Sequence, residues 1–196
     1  GGDLSWGPAA KGGGPMPAKL VYAAVDAPQI SVVIPTYDGS RGGNVDILVD
    51  QLRGQTYTEV EVILSIGESP NGHARNVGAA IARGDYLVFI DDDVTLAHDT
   101  LLEQLLEPFA EPDIGMTGPA QQVPPDAGWF QRWCAGQIPR SLSPVVDEVT
   151  DSDMVSHMCL AMRRTLFEEI GGESDWLLAG TDPDLRYRVR QAGYRV

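Results

Sequence analysis

Short apolar runs of strand character alternate with helix-spaced stripes along most of the chain, and this alternation limits the possible folds more than any other feature. Ile30 to Ile34 is a β-branched run ended by Pro35, and Val45, Leu48, Val49 and Leu52 then recur at helical spacing after Asn44. Val60 to Ile66 reads as the next strand, and a Ser-Pro-Asn-Gly turn leads into a helix whose face carries Ala74, Val77 and Ile81. Asp85 to Ile90 is a third strand. Thr100 and Glu103 have the spacing of a capping box that opens the stripe Leu101, Leu102, Leu105, Leu106 and Phe109, and Ile114 to Thr117 is a fourth strand. Residues 118 to 153 break the pattern with Pro, Gly, Trp129 and Trp133 and read as a long variable insertion. Val155 to Met162 then resumes as a strand, with helices near Thr165 to Ile170 and from Asp182 to Ala192. Strand-helix units joined by short loops imply right-handed crossovers, hence an α/β fold with a mainly parallel sheet and helices on both faces. Ligands of such sheets sit at the carboxyl ends of the strands.

Charge narrows the partners. The 28 acidic and 14 basic side chains leave a formal net charge of −14, which disfavours a sequence-independent grip on nucleic acid or an anionic membrane. From Gly84 to Gln131 there is no Lys or Arg, whereas Arg186, Arg188, Arg190 and Arg195 crowd the end, where they are expected to decorate an exposed helix face. Cys134 and Cys159 have neither C-x-x-C spacing nor a neighbouring His, so two reduced, buried thiols are expected. No apolar run approaches the roughly 18 residues that span a bilayer, and no charged-then-apolar leader opens the sequence, which points to a soluble cytoplasmic protein. Residues 1–29 hold six Gly and four Pro and only one strand-like run, Leu20 to Val25, so they read as a tail or edge extension of a folded unit that starts at Ile30.

Within the acidic stretch, Phe89-Ile90-Asp91-Asp92-Asp93-Val94 places three carboxylates where a buried strand leaves the sheet. Alternation in an extended chain would point Asp91 and Asp93 to the same side, where two hard oxygen donors suit Mg²⁺ or Mn²⁺. A polar strand end that merely turns the chain is the competing reading. Arg75 opens the preceding helix and could face the same ligand, or lie on the surface. His73 is expected to face solvent or cap that helix.

Ordered motifs raise the odds of the functional reading. Ser31-Val32-Val33-Ile34-Pro35-Thr36-Tyr37, then Ala74-Arg75-Asn76-Val77-Gly78, then Ala82-Arg83-Gly84-Asp85-Tyr86 leading into Phe89 to Asp93, and finally Gly171-Gly172 with Thr181-Asp182-Pro183-Asp184-Leu185 and Arg188 resemble the metal-dependent glycosyltransferases of family 2. The resemblance spans about residues 30 to 196. It implies the Rossmann-like GT-A fold and a nucleotide-diphosphate sugar, most often a UDP-sugar, as donor. Pro35, Thr36 and Tyr37 would border the nucleobase, Arg75 the diphosphate, and Asp91 and Asp92 the nucleotide sugar. Asp93, with Asp91, would hold Mg²⁺ or Mn²⁺. Asp182 would be the catalytic base of an inverting enzyme, although Asp182 before Pro183, with Thr181 and Asp184, also reads as a helix cap.

Departures from the family pattern locate further candidates. Relatives end the second strand with an acidic pair that reads the base, whereas here Leu64-Ser65-Ile66-Gly67-Glu68-Ser69 leaves Glu68 as the substitute. The residue before the base is commonly glutamate and here is Thr181, which with Trp176 is placed on the acceptor side. Trp129 and Trp133 are read as core or loop anchors before sugar-stacking residues. Relatives often continue past the equivalent of Val196 to a metal-binding His, a role that spacing does not give to His157. The expected layout is an extension over 1–29 and a GT-A domain over 30–196, truncated at its C-terminal side.

The chemistry requires few parts. A metal would offset charge on the departing diphosphate, so one carboxylate suffices to take the proton of an acceptor hydroxyl on a sugar, lipid-linked or other molecule. Two alternatives remain at the level of sequence. A sugar-phosphate nucleotidyltransferase would need a Lys in the loop Asp38-Gly39-Ser40-Arg41-Gly42-Gly43, which has none. A non-catalytic nucleotide-binding or scaffold domain would keep the fold without the activity.

Overall fold

The computed structural model of the chain describes residues 17–124, 127–137, 145–146 and 148–196. β2 (Ile30–Thr36) runs through the middle of the sheet, and every one of its residues is buried. Its nearly continuous apolar sequence follows from that place, because a strand covered by helices on both faces has no side to give to water. The strand order is β1-β3-β2-β4-β6-β5, with β1 at Ala18–Ala23, β3 at Val60–Ile66, β4 at Tyr86–Ile90, β5 at Met116–Thr117 and β6 at Cys159–Arg163.

β3 and β4 run parallel to β2, as crossovers dictate, whereas β1, β6 and β5 are antiparallel to their neighbours. The expected α/β layering is present, but the sheet is parallel only across its three central strands. β6 pairs antiparallel with both β4 and β5, and such pairing needs no crossover, so its direction is not constrained in the same way. β1 lies within the Gly/Pro-rich extension and pairs with β3 as an edge strand.

Strand alternation divides the core in two. Val32, Ile34, Val88 and Ile90 pack with Val45 and Leu48 of α1 (Asn44–Arg53) and Leu102 and Leu105 of α3 (Leu101–Leu106). Val33, Leu87 and Phe89 belong to the other cluster, with Ala79 of α2 (Asn71–Ala79), Leu166 and Phe167 of α5 (Arg164–Glu169), and Leu185 and Val189 of α6 (Thr181–Gln191). The carboxyl ends of β2, β3 and β4 share one edge of the sheet. Antiparallel pairing of Ile90 with Cys159 brings the start of β6 to that edge as well.

Several expected details differ. The strand expected from Val155 begins only at Cys159, because α6 draws the preceding backbone away: Arg186 donates to the Val155 carbonyl, and the His157 amide donates to Asp182. Ile114 forms only an isolated bridge with Arg195, leaving β5 two residues long. Thr100 occupies the N-cap of α3 without a side-chain cap bond, and the Leu102 amide is satisfied instead by Gln55 Oε1 at 3.1 Å. Helix α4 (Trp129–Gln137) has no buried residue, so Trp129 and Trp133 are exposed and meet Phe130, Trp129 edge-on and Trp133 stacked, rather than anchoring the core. Residues 125–126, 138–144 and 147 of the expected insertion, and 1–16 of the extension, lie outside the described residues. Among the described residues, no helix is long and apolar enough to cross a membrane.

Gly78 sets how closely α2 approaches the sheet. A Cβ there would clash with Val33 Cγ1 and lie 2.6 Å from Ser65 Oγ. Gly78→Ala is therefore expected to lower unfolding free energy by about 1–3 kcal/mol, because overpacking outweighs the gain of ~1 kcal/mol in helix propensity. Urea unfolding measures this; equal or greater stability would show that α2 has slack.

Candidate active site

Asp91 is the first residue past β4, and Arg75 lies in α2, the helix that follows β3 on the far side of β2. The two form a direct ion pair, where the sequence pointed instead to a shared ligand: Arg75 Nη2 donates to Asp91 Oδ1 at 2.7 Å. The Arg75 side chain is only 2% exposed and that of Asp91 is 29% exposed. Small residues around it, Gly72, Ala74 and Gly78, let α2 sink far enough for an arginine to be buried. Burial pushes the Asp91 carboxyl above its ordinary value, against the pull of Arg75. Arg75 Nε is buried without a partner.

Asp92 and Asp93 do not continue the strand. The Val94 amide bonds back to the Asp91 carbonyl at 3.3 Å, so the acidic run is a turn and strand alternation does not apply to it. Asn44 of α1 fixes this turn by donating to the carbonyls of Asp92 and Val94 at 2.8 and 3.1 Å. Asp93 is exposed and meets Arg41 Nη2 at 3.2 Å, and Arg41 Nε lies 3.7 Å from Asp92. Arg41 has a positive φ of 45°, held by Asp38 Oδ1, which accepts from the amides of Ser40 and Arg41 at 2.8 Å each. Its guanidinium thus covers the acids from the loop after β2. The glycine-rich composition of that loop was the only sequence signal for this contact.

Among the described residues, no group of three or more His, Cys, Asp or Glu forms a cation cage. A Mg²⁺ or Mn²⁺ ion that uses one or two carboxylates and completes its shell with phosphate oxygens and water needs no such cage. Arg41 now supplies the positive charge beside Asp93 and would have to yield to such an ion.

Across the same edge, α6 presents Asp182. The helix-cap reading of this residue is overturned: Gly180, with φ 80°, is the N-cap, and no side-chain cap bond forms. Asp182 Oδ1 instead accepts from the His157 amide at 2.8 Å and pairs with ring Nδ1 at 2.5 Å. Burial would raise the Asp182 pKa, but the hydrogen bond and charge of His157, aided by the charge of Arg75, bring it down to about 2. His157 Nε2 bonds Glu173 Oε1 on its other side. Burial would lower the ring's pKa, yet the bonds to Asp182 and Glu173 raise it. Asn76, next to Arg75, clasps the Glu173 backbone by donating to its carbonyl at 2.9 Å and accepting from its amide at 2.8 Å. Neither His157 nor Glu173 carries a spacing that sequence reasoning could have used.

The other sequence candidates scatter around this edge. Thr36 is buried at the end of β2 and accepts from the Gly39 amide at 3.3 Å, beside Pro35, whereas Tyr37 stands exposed. Glu68 is paired with His73 at 3.1 Å; His73 keeps 37% of its side chain exposed, and Pro70 rather than His73 is the N-cap of α2. Trp176 and Leu178 are exposed on the segment between Glu173 and Gly180, just before the half-buried Thr181. The terminal arginines are structural. Arg188 joins Asp184 to the Ile170 and Gly172 carbonyls, Arg195 gathers Glu111, Asp113 and Asp151, and Arg186 is buried rather than decorating a surface. Cys159 is buried, its thiol pushed up to about 12 by burial, while Cys134 is half-buried; neither is bridged.

A family model described as Glycosyl transferase family 2 matches residues 70–171, from the start of α2 through the acidic turn to the end of α5. The pre-mycofactocin glycosyltransferase of Mycobacterium tuberculosis is 26% identical over 145 residues, 71% of this chain and 30% of that protein. The O-antigen chain rhamnosyltransferase WbaN of Salmonella anatum is 26% identical over 148 residues, 72% of this chain and 47% of that protein. The chain thus spans less than half the length of both relatives. Among solved structures, the mannosyltransferase PcManGT from Pyrobaculum calidifontis, in complex with GDP-Man and Mn²⁺, shares the fold with a TM-score of 0.65. That match covers 88% of this chain and 55% of the other at 18% identity.

Proposed function

The chain belongs to glycosyl transferase family 2, and on that premise we propose that it moves a sugar from a nucleoside diphosphate to an acceptor hydroxyl in a single inverting displacement. The observation that carries this reading is the buried Arg75–Asp91 pair at 2.7 Å, set at the carboxyl edge of the parallel strands with Asp182 across from it. On this reading Arg75 would meet the diphosphate, Pro35, Thr36 and Tyr37 would border the base, with Glu68 beside it, and Asp92 would line the donor site near Asp91.

A divalent ion held by Asp91 and Asp93 would offset the charge that grows on the leaving diphosphate. The chain's own part is to orient the donor with Arg75 and to hold Asp182 ionised for the proton of the attacking hydroxyl. Trp176 and Thr181 flank that approach and are assigned to the acceptor, a sugar or lipid-linked hydroxyl. A UDP-sugar is the first donor to test by family resemblance, and a GDP-sugar the second, because PcManGT holds GDP-Man with Mn²⁺. The unbonded Cys134 and Cys159 suit a reducing cytoplasmic setting.

A thermal-shift screen of UDP-, GDP- and dTDP-sugars with and without Mn²⁺ tests the reading. One nucleotide class is expected to raise Tm, and to do so only with the cation, since a ligand that binds only the native state stabilises it. No shift with any of them contradicts the reading. Pyrophosphate release from a nucleoside triphosphate and a sugar phosphate would favour the nucleotidyltransferase instead.

A further inference from the structure

We propose, resting on the reading of Asp182 as the base, that His157 and Glu173 form a positioning pair for it: His157 clamps one carboxylate oxygen so that the other faces the acceptor, and Glu173 keeps the clamp charged while Asp182 takes its proton.

Both contacts from His157, the backbone amide and ring Nδ1, reach the same atom, Asp182 Oδ1. Among the described residues, no hydrogen bond or ion pair reaches Oδ2. The Asp182 side chain is 39% exposed while His157 is 4% and Glu173 0% exposed, so the clamp lies behind the base and leaves its front open. A carboxylate fixed through one oxygen by two donors has its remaining lone pairs aimed in a set direction, which is the requirement for a general base.

With both carboxyls ionised, the ring faces oxygens that only accept, Asp182 Oδ1 at Nδ1 and Glu173 Oε1 at Nε2. Neutral imidazole has a single N–H, so satisfying both contacts requires the imidazolium. The charged groups around it are Asp182 from α6, Glu173 from the segment after α5, Arg75 from α2 and Asp91 from the end of β4. Two carboxylates in direct contact prevail over burial and over the more distant guanidinium.

The proton balance explains why two carboxylates are present. In the transfer step the acceptor O–H bond breaks and its proton goes to Asp182 Oδ2. The acceptor oxygen bonds to the anomeric carbon, and the bond from that carbon to the diphosphate oxygen breaks, its electron pair leaving with the diphosphate. Asp182 is then neutral. With no second carboxylate the imidazolium would be a buried cation without a counter-charge, which is strongly disfavoured. Glu173, fully buried and with Oε2 unpartnered, supplies that charge throughout, and Asn76 holds it in place from α2.

Nitrogen-15 NMR of the imidazole rings, together with transfer kinetics of His157→Gln and Glu173→Gln in this chain, tests the pair. In the wild-type protein, the ring signal that disappears in His157→Gln should keep both nitrogens protonated at a pH above the ordinary value of 6.5, where a free imidazole has lost one proton. Glu173→Gln should return that ring to a single N–H at the same pH. His157→Gln should lower kcat on the order of a hundredfold with donor KM unchanged, and should cost nothing further in an Asp182→Asn background. If His157→Gln does not fold, Glu173→Gln carries both readouts. A singly protonated ring in wild type, or full kcat in His157→Gln while Asp182→Asn is inactive, overturns the proposal. Full kcat in Asp182→Asn with the ring still doubly protonated overturns the base assignment, and the catalytic role of the clamp with it.

Discussion

Asp182→Asn is expected to lower kcat by about two to four orders of magnitude, the usual contribution of a general base, while nucleotide binding in the presence of Mn²⁺ stays within about twofold of wild type. Asparagine keeps the size of the side chain and an oxygen for the His157 amide, which donates to Oδ1 at 2.8 Å. What it removes is the negative charge and the lone pairs that would take a proton. Unfolding does not explain such a loss. The native pKa of Asp182, about 2, lies below the ordinary 3.8, so the carboxylate contributes stability above pH 3.8 that disappears as pH falls through about 2. The side chain is more than a third exposed, so solvent screening leaves that contribution small. Transfer assays paired with calorimetry separate the two effects. Retention of most of kcat by Asp182→Asn would remove Asp182 from the chemistry.

Arg75→Met should cost about 3 kcal/mol of unfolding free energy, the lower end of the range for stripping one partner from a buried ion pair. The lower end applies because Asp91 keeps 29% of its side chain exposed while Arg75 keeps 2%. Burial already raises the Asp91 pKa, and loss of the guanidinium removes the main opposing influence. A carboxyl with a raised native pKa favours the fold below the unfolded value of 3.8 and loses that contribution as pH climbs through the native value. The destabilisation by Arg75→Met should therefore be largest at neutral pH and shrink in acid. The double variant Arg75→Met with Asp91→Asn should recover most of the loss, since no buried charge is then left alone. Urea titrations at neutral pH and near pH 3.8 measure both effects. An Arg75→Met variant as stable as wild type would mean that Asp91 already meets enough water to stand by itself.

The order of strands and helices was legible because each face of the sheet leaves a period in the sequence: Val32 and Ile34 go to one core, Val33 to the other. The same reasoning put Arg75 and Asp91 at one edge of the sheet, since each lies beyond the carboxyl end of a strand, β3 and β4. It could not give the direction of β6, which depends on how residues 118–153 return to the sheet rather than on any local pattern. It also carried strand alternation past the end of β4 into Asp92 and Asp93, where Asn44 of α1 and Arg41 of the loop before it shape the turn. His157 was out of reach for a related reason. Its two carboxylate partners, Asp182 and Glu173, come from separate segments, and only tertiary packing brings all three together. Asp182, read from its neighbours alone, looked more like the cap of α6 than a base, and the structure gives the cap position to Gly180 instead.

The most direct test is titration calorimetry of UDP, GDP and dTDP in the presence and absence of Mn²⁺, on the wild-type chain and on Asp93→Ala. If Arg75, Asp91 and Asp93 converge on one divalent ion carrying a diphosphate, a single nucleotide class binds wild type tightly with Mn²⁺, and the metal-dependent part of that affinity vanishes in Asp93→Ala. Equal binding with and without Mn²⁺, or an undiminished metal effect in Asp93→Ala, would contradict it.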